Sequence, residues 1–302
     1  GDGRTLDGMG AERNLLEIAG EVAAHRQRLA ADALDLGIIG GAGKLDAVFE
    51  HLPRERTMLV VSAGTHSADA SVIPQPYADL PVIVHSADAI EGLVDLGKTR
   101  RQTPVRLLAA VAESDLVVVT SRIRPHYFAG FSGGTKGVFP GVAGREGILR
   151  NHELKAEPSA RLGRVHDNAC RLDMEEAALR LARSPFVLNV LCDVDGQGVA
   201  AAAGDPIAAH RALLDRAHAL FSVEGPRSAV IVVADRPPVT STLYQASKLL
   251  PPAGALLAPM KRVHAAGLFE TTVKGASREA LDYRLRAIDA ESLQLFIERA
   301  SV

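Results

Sequence analysis

Three residues around one glycine-rich stretch have the types and spacing that chemistry needs. His126, Lys136 and His152 follow at intervals of ten and sixteen residues. From His126 the chain reads His-Tyr-Phe-Ala-Gly-Phe-Ser-Gly-Gly-Thr-Lys-Gly-Val-Phe-Pro-Gly, and His152 comes just after a short helical pattern at 145–150. Glycine frees the backbone for positive φ and lets it approach a ligand closely. Consecutive N–H groups in such turns form anion-binding concavities, so Ser132, Gly133 and Gly134 are cofactor-cradle residues on this reading. A lone Lys in that cradle holds a phosphate or serves as a covalent amine. The residues by themselves leave both open. His66 follows Ala63-Gly64-Thr65 at the end of an apolar run, where α/β proteins place ligand-facing residues. The plain alternative is a surface loop with a solvated Lys and two surface His; the density of Gly, His and Lys argues against it.

Two neighbouring motifs compete. Gly130-Phe131-Ser132-Gly133-Gly134 fits G-x-S-x-G and would make Ser132 the nucleophile of a serine hydrolase. That motif needs an apolar strand running directly into the Ser. Here Arg-Pro-His-Tyr-Phe-Ala precedes it, and the nearest apolar run ends at Thr120. Gly40-Gly41-Ala42-Gly43-Lys44 hints at a P-loop but has Ile38 and Leu45 at the defining ends. It reads as a helix-start turn able to cradle an anion.

The elements that must position these residues alternate. Strands are expected at 36–39, 58–63, 82–85, 116–120, 186–192, 229–234 and 255–258, each a near-continuous apolar run of the kind covered on both faces. Helices are expected at 12–34, 104–113, 174–182, 206–221, 243–250 and 278–286; Asp205-Pro206 is a cap followed by Pro at the first helical position. Such alternation predicts an α/β fold with mostly parallel sheets. Residues 122–151 break it, with nine Gly or Pro positions in thirty residues, as long functional loops do. Val223-Glu224-Gly225-Pro226-Arg227 is the expected boundary between an N-terminal catalytic and cofactor-binding domain, 1–225, and a smaller C-terminal one, 226–302.

Composition bounds the partners. The 302 residues are 47% hydrophobic and 23% charged with net charge −2, the balance of a globular protein. Eight Phe, four Tyr and no Trp, without a basic excess, argue against nucleic acid. The apolar runs are too short to span a bilayer, so no membrane partner is expected. The chain starts at Gly1 with no leader and no initiator Met, which reads as a trimmed or processed end. Cys170 and Cys192 lack metal-ligand spacing; they read as small core residues and suit a reducing cytoplasm.

From about Met58 to Lys248 the sequence resembles the nickel-pincer lactate racemase family of 2-hydroxyacid racemases and epimerases. The run from His126 to Gly141, followed by Asn151-His152, carries most of the resemblance. Val61-Ser62-Ala63-Gly64-Thr65-His66, Ala160-Arg161-Leu162-Gly163 with Asp173-Met174, Phe186–Val190 with Ala203-Gly204-Asp205 and His210, and Leu243-Tyr244-Gln245-Ala246-Ser247-Lys248 add to it. The resemblance implies that Lys136 binds, through a thioamide, a pyridinium-3-thioamide-5-thiocarboxylic acid mononucleotide carrying nickel. It implies that His152 is the protein ligand to that nickel, that His66 and His126 are acid–base groups on opposite faces of the substrate, and that Gln245 and Lys248 orient its carboxylate. It further implies two α/β domains with the site in their cleft, and cofactor maturation enzymes as partners.

The implied chemistry is coherent. Removing the α-proton of a 2-hydroxy acid is opposed by the neighbouring carboxylate. Transient oxidation avoids that second negative charge: a base takes the hydroxyl proton while the α-hydrogen leaves as hydride to the pyridinium. The planar keto acid then receives hydride on its other face. One neutral His per enantiomer suits the task, and nickel on sulfur, carbon and one imidazole suits a square-planar Ni(II). The alternatives are a catalytically silent nucleotide or hydroxy-acid binder, and the Ser132 hydrolase. His85, His166, His210 and His264 receive no catalytic role. The family's Asp-x-Thr-Arg-Pro loop, whose Arg helps hold the cofactor phosphate and whose Asp the ribose, is not found; the nearest fragment is Asp2-Gly3-Arg4-Thr5.

Overall fold

The computed structural model describes residues 36–40, 49, 52–66, 68–193, 198–222, 266–271 and 279–284. Its strands are β1 (Leu36–Gly40), β2 (Thr57–Val61), β3 (Val82–Val84), β4 (Leu93–Lys98), β5 (Pro104–Leu108), β6 (Leu116–Ile123), β7 (Pro125–His126), β8 (Gly130–Phe131), β9 (Phe186–Cys192), β10 (Gly198–Gly204), β11 (Ala266–Thr271) and β12 (Glu279–Arg284). The helices are α1 (Ala109–Ala112), α2 (Arg145–Glu153), α3 (Ala169–Ala178), α4 (Pro206–Arg211) and α5 (Leu214–Phe221). The fold is mixed α/β. Six strands form one sheet in the order β10-β9-β6-β1-β2-β3. Every pairing in it is parallel except β9 with β10 at the edge. Three two-stranded antiparallel ladders, β4–β5, β7–β8 and β11–β12, complete the described strands.

The central strands read as unbroken apolar runs because both of their faces are covered. In β6, Val117 and Val119 enter one core cluster with Val187, Phe139 and Met174, while Leu116 and Val118 enter another with Phe186 and Leu188. Side chains alternate across a strand, so a sheet sandwiched between two cores needs apolar residues at every position.

Several expectations need correction. Residues 104–113, expected as a helix, are β5 followed by the single turn α1. Val105 and Leu107 are fully buried while Pro104, Arg106 and Leu108 are half-buried; that two-residue period is a strand's. Its partner β4, with exposed Asp95 and Lys98, was too polar to stand out. Part of the expected helix at 278–286 is β12, paired with β11. The alanine-rich β10 becomes a strand through its ladder with β9, which no local propensity announces. The expected helix at 206–221 is two helices, α4 and α5; the Asp205 cap is present, its carboxylate accepting from Ile207 and Ala208 N–H. Asn168 caps α3 five residues earlier than the expected start, accepting from Arg171 N–H. The elements expected at 12–34, 229–234, 243–250 and 255–258 lie outside the described residues.

The chain divides into two compact units, Gly1–Phe221 and Ser222–Val302. No helix among the described residues is long and apolar enough to cross a membrane. Cys170 and Cys192 are both free and buried.

Candidate active site

The glycine-rich segment leaves the end of β6 as the small β7–β8 ladder and closes in a 3-10 turn at Gly134–Gly137. Gly133 and Gly134 have φ of +84° and +61°. A Cβ on Gly133 would collide with Ile123 Cδ1, and one on Gly134 would stand 2.6 Å from Arg171 Nη2. Only glycine fits both the angle and the space, and this fixes where Lys136 emerges.

Lys136 Nζ lies 3.2 Å from His126 Nε2, and Ala129 N–H donates to His126 Nδ1 at 3.2 Å. With Nδ1 accepting, the neutral ring carries its proton on Nε2, facing the lysine. Lys136 and His126 are thus hydrogen-bond neighbours at the mouth of the turn. Phe128 is the shared neighbour of the site. Its ring meets His126 edge-on at 4.6 Å and His152 at 4.9 Å, with Lys136 Nζ 5.6 Å from its centroid. The sequence-predicted trio of His126, Lys136 and His152 is therefore brought together in space.

His152 lies in the last turn of α2, with Nδ1 closed off from solvent. Burial first, then the Lys136 charge, pushes its imidazole down to about 4. A ring so neutral at pH 7 offers a lone pair to a metal. Asn151 anchors this turn, donating to Cys170 O at 3.1 Å and to Asp173 Oδ2 at 2.8 Å. Asp173 also accepts from Thr99 and Thr103 hydroxyls at 2.5 and 2.7 Å. Among the described residues no group of three or more His, Cys, Asp or Glu is gathered to hold a metal.

His66 is exposed in the turn after β2. That turn is tied to the glycine-rich segment by Gly64 N–H donating to Gly141 O at 2.9 Å, and the His66 charge is among those lowering His152. Ser132 is engaged by the backbone: its hydroxyl donates to Arg122 O at 2.7 Å and accepts from Arg124 N–H at 2.9 Å. The strand leading to it, β8, has two residues, so the strained strand-to-helix elbow of a hydrolase is not built. Gln245 and Lys248 lie outside the described residues.

Sequence reasoning missed what supports this site. Arg171, Glu175, Asn189, His210 and Arg211 surround the underside of the turn, and Thr99, Thr103 and Asp173 support His152. The Arg171–Glu175 spacing of four was the available signal, since it puts both on one helix face. His85 is a satisfied core histidine, its Nε2 against Ala143 O at 3.0 Å, and burial lowers it.

Fold and site together define an α/β protein with a lysine in a glycine turn between histidines. Residues 46–163 match the family model for the lactate racemase N-terminal domain, in line with the resemblance carried by the motifs. It is 31% identical over 205 residues to the lactate racemase of Lactiplantibacillus plantarum, covering 65% of this chain and 48% of that one. To the lactate racemase of Thermoanaerobacterium thermosaccharolyticum it is 31% identical over 169 residues, covering 55% and 39%. This chain thus spans about half the length of the curated relatives it matches, or less. The solved lactate racemase apoprotein from Thermoanaerobacterium thermosaccharolyticum has a TM-score of 0.68 at 24% identity, covering 80% of this chain and 64% of that one. A Thermotoga maritima protein gives 0.60 at 18%, covering 77% and 66%. At those identities the likeness shows the fold.

Proposed function

We propose that this protein is an isomerase that racemises or epimerises a small, lactate-like 2-hydroxy acid. The observation that carries the reading is the convergence of His126, Lys136 and His152 on Phe128, inside the segment that matches the family model. The boundary between two α/β domains is assigned to residues 225 and 226, with Gln245 and Lys248 of the second serving the substrate carboxylate. Reduced Cys170 and Cys192 fit a cytoplasmic setting.

The residues present fit a nickel-pincer nucleotide. His152 offers a ring held neutral by burial, Lys136 an amine 3.2 Å from an imidazole nitrogen, and Gly133 and Gly134 a turn bare of side chains. Lys136 would anchor it, His152 would ligate its nickel, and the 132–134 backbone would line it. When bound, the group supplies a two-electron acceptor for the α-hydrogen of the substrate. Maturation enzymes that make the nucleotide are the implied partners.

The chain's own task is the hydroxyl proton. We assign His66 and His126 as bases, one for each enantiomer. For His126 Nε2 to take that proton, the ring must move its own to Nδ1 and release Ala129 N–H, at a cost of roughly 1 kcal/mol for one long hydrogen bond.

Co-expression with the maturation enzymes tests the reading. Intact mass should show an adduct mapping to Lys136 with bound nickel, and the protein should interconvert D- and L-lactate or another 2-hydroxy acid pair. Lys136→Ala should fold without adduct. In single-turnover formation of keto acid, His66→Ala and His126→Ala should each lose on the order of 10²–10⁴-fold, for opposite enantiomers. A matured wild type with no adduct, or keto acid lost from the same enantiomer in both variants, overturns the assignment.

A further inference from the structure

A buried ionic network lies beneath the glycine turn. Arg171 of α3 is fully buried, and its Nε donates to Glu175 Oε1 at 2.6 Å. Arg211 grips both Glu175 oxygens at 2.9 Å. One carboxylate thus faces two guanidinium groups, leaving a positive charge uncompensated within the network. Well-packed apolar side chains of similar volume would fill the same space at lower cost, which directs attention to what the network holds.

It holds the carbonyls of the turn. Arg171 Nη1 donates to Gly133 O at 3.0 Å and to Phe131 O at 3.3 Å. His210 Nε2 donates to Ser132 O, between them, at 2.9 Å. His210 Nδ1 accepts from Arg211 Nη1 at 3.0 Å, so the ring is neutral with its tautomer set; burial first, then the Arg171 charge, push it down to about 2. Asn189 Oδ1 accepts Gly134 N–H at 2.8 Å. Three successive carbonyls end in one network, and the next amide is taken from the same side of the sheet by β9. Arg171 Nη2, buried without a partner, lies directly under Gly134.

We infer that the Arg171–Glu175–Arg211–His210 network is a positioning element that fixes the peptide groups of Phe131, Ser132 and Gly133 and thereby presents Lys136 at one place for covalent attachment. The inference rests on the reading of Lys136 as the anchor. None of the four residues touches the reacting atoms; each acts through the turn.

His210→Gln keeps an N–H for Ser132 O and an oxygen for Arg211, whereas His210→Leu removes both at similar volume. After co-expression with the maturation enzymes, adduct on Lys136 should fall about tenfold in His210→Leu, the effect of one lost buried hydrogen bond, and return to near wild type in His210→Gln. The two variants should differ in adduct more than in melting temperature. A His210→Leu protein that loads like wild type, or a His210→Gln protein that loads no better than His210→Leu, overturns the inference. If matured wild type carries no adduct on Lys136, the anchor reading fails, and amide hydrogen exchange on unloaded protein decides the network's role. Residues 130–138 should then exchange about tenfold faster in His210→Leu than in His210→Gln, with 116–123 unchanged; equal exchange overturns it. Should His210→Leu not fold, Arg211→Met releases His210 Nδ1 and Glu175 and leaves the bonds to the turn in place. Unchanged exchange at 130–138 in that variant also overturns the inference.

Discussion

The ion pairs on the outside of this protein and those beneath its glycine turn obey different physics. Arg183 and Asp115 pair with side chains 54% and 27% exposed, while Arg171, Glu175 and Arg211 are 0%, 7% and 18% exposed. In water an ion pair gains little, because each charge gives up hydration it could have kept. In the interior the charges have already lost hydration, so removing one partner leaves the other stranded. Surface pairs are therefore replaceable. The buried pairs decide where backbone atoms sit.

The contrast predicts a graded series. Glu175→Ala should have the largest effect, about 3–5 kcal/mol in urea unfolding, because two guanidinium groups lose their shared carboxylate. A loss no larger than that of a surface variant would erase the distinction. Asp173→Ala comes next at about 3 kcal/mol, since Thr99, Thr103 and Asn151 donors lose a buried acceptor. It should also reduce nickel content after maturation, whereas a variant keeping full nickel would show that His152 holds its place without this support.

The third prediction concerns pH. His152 is lowered from 6.5 to about 4 in the folded protein. The unfolded chain then binds more protons than the folded one between these values, so stability rises with pH there. It is fully present above about 6.5 and is lost as pH falls through about 4, with roughly 1–3 kcal/mol from this group. Replacing His152 with Gln should flatten that part of the profile; an unchanged slope would assign it to His210, whose shift has the same sign. The smallest effect belongs to Arg183→Ala, under about 1 kcal/mol and smaller still at high salt. A salt-independent loss there would show that this pair behaves as a buried one.

The legible parts of the molecule were those whose signal is local. Apolar runs such as Leu116–Thr120 and Phe186–Cys192 announce strands because covering both faces requires it. The Asp205-Pro206 cap announces a helix start. Lys136 and its histidines stood out because glycine density marks a backbone built around something. Strand β5 was misread because its helix-like stretch becomes a strand only through the ladder with β4. The alanine run of β10 carries no propensity of its own and takes its conformation from β9.

By itself the sequence determined the candidate set of His126, Lys136 and His152, the glycine-rich turn, the α/β plan and the family resemblance, since each is written in residue types at fixed spacing along the chain. Only the tertiary structure decided that His210 holds the Ser132 carbonyl, that Asn189 receives the Gly134 amide, and that His126 turns Nε2 to Lys136. Those partners stand 78, 55 and 10 residues apart. The direction of a hydrogen bond between distant peptide and side-chain groups depends on how sheet and helices pack, and no spacing along the chain encodes it.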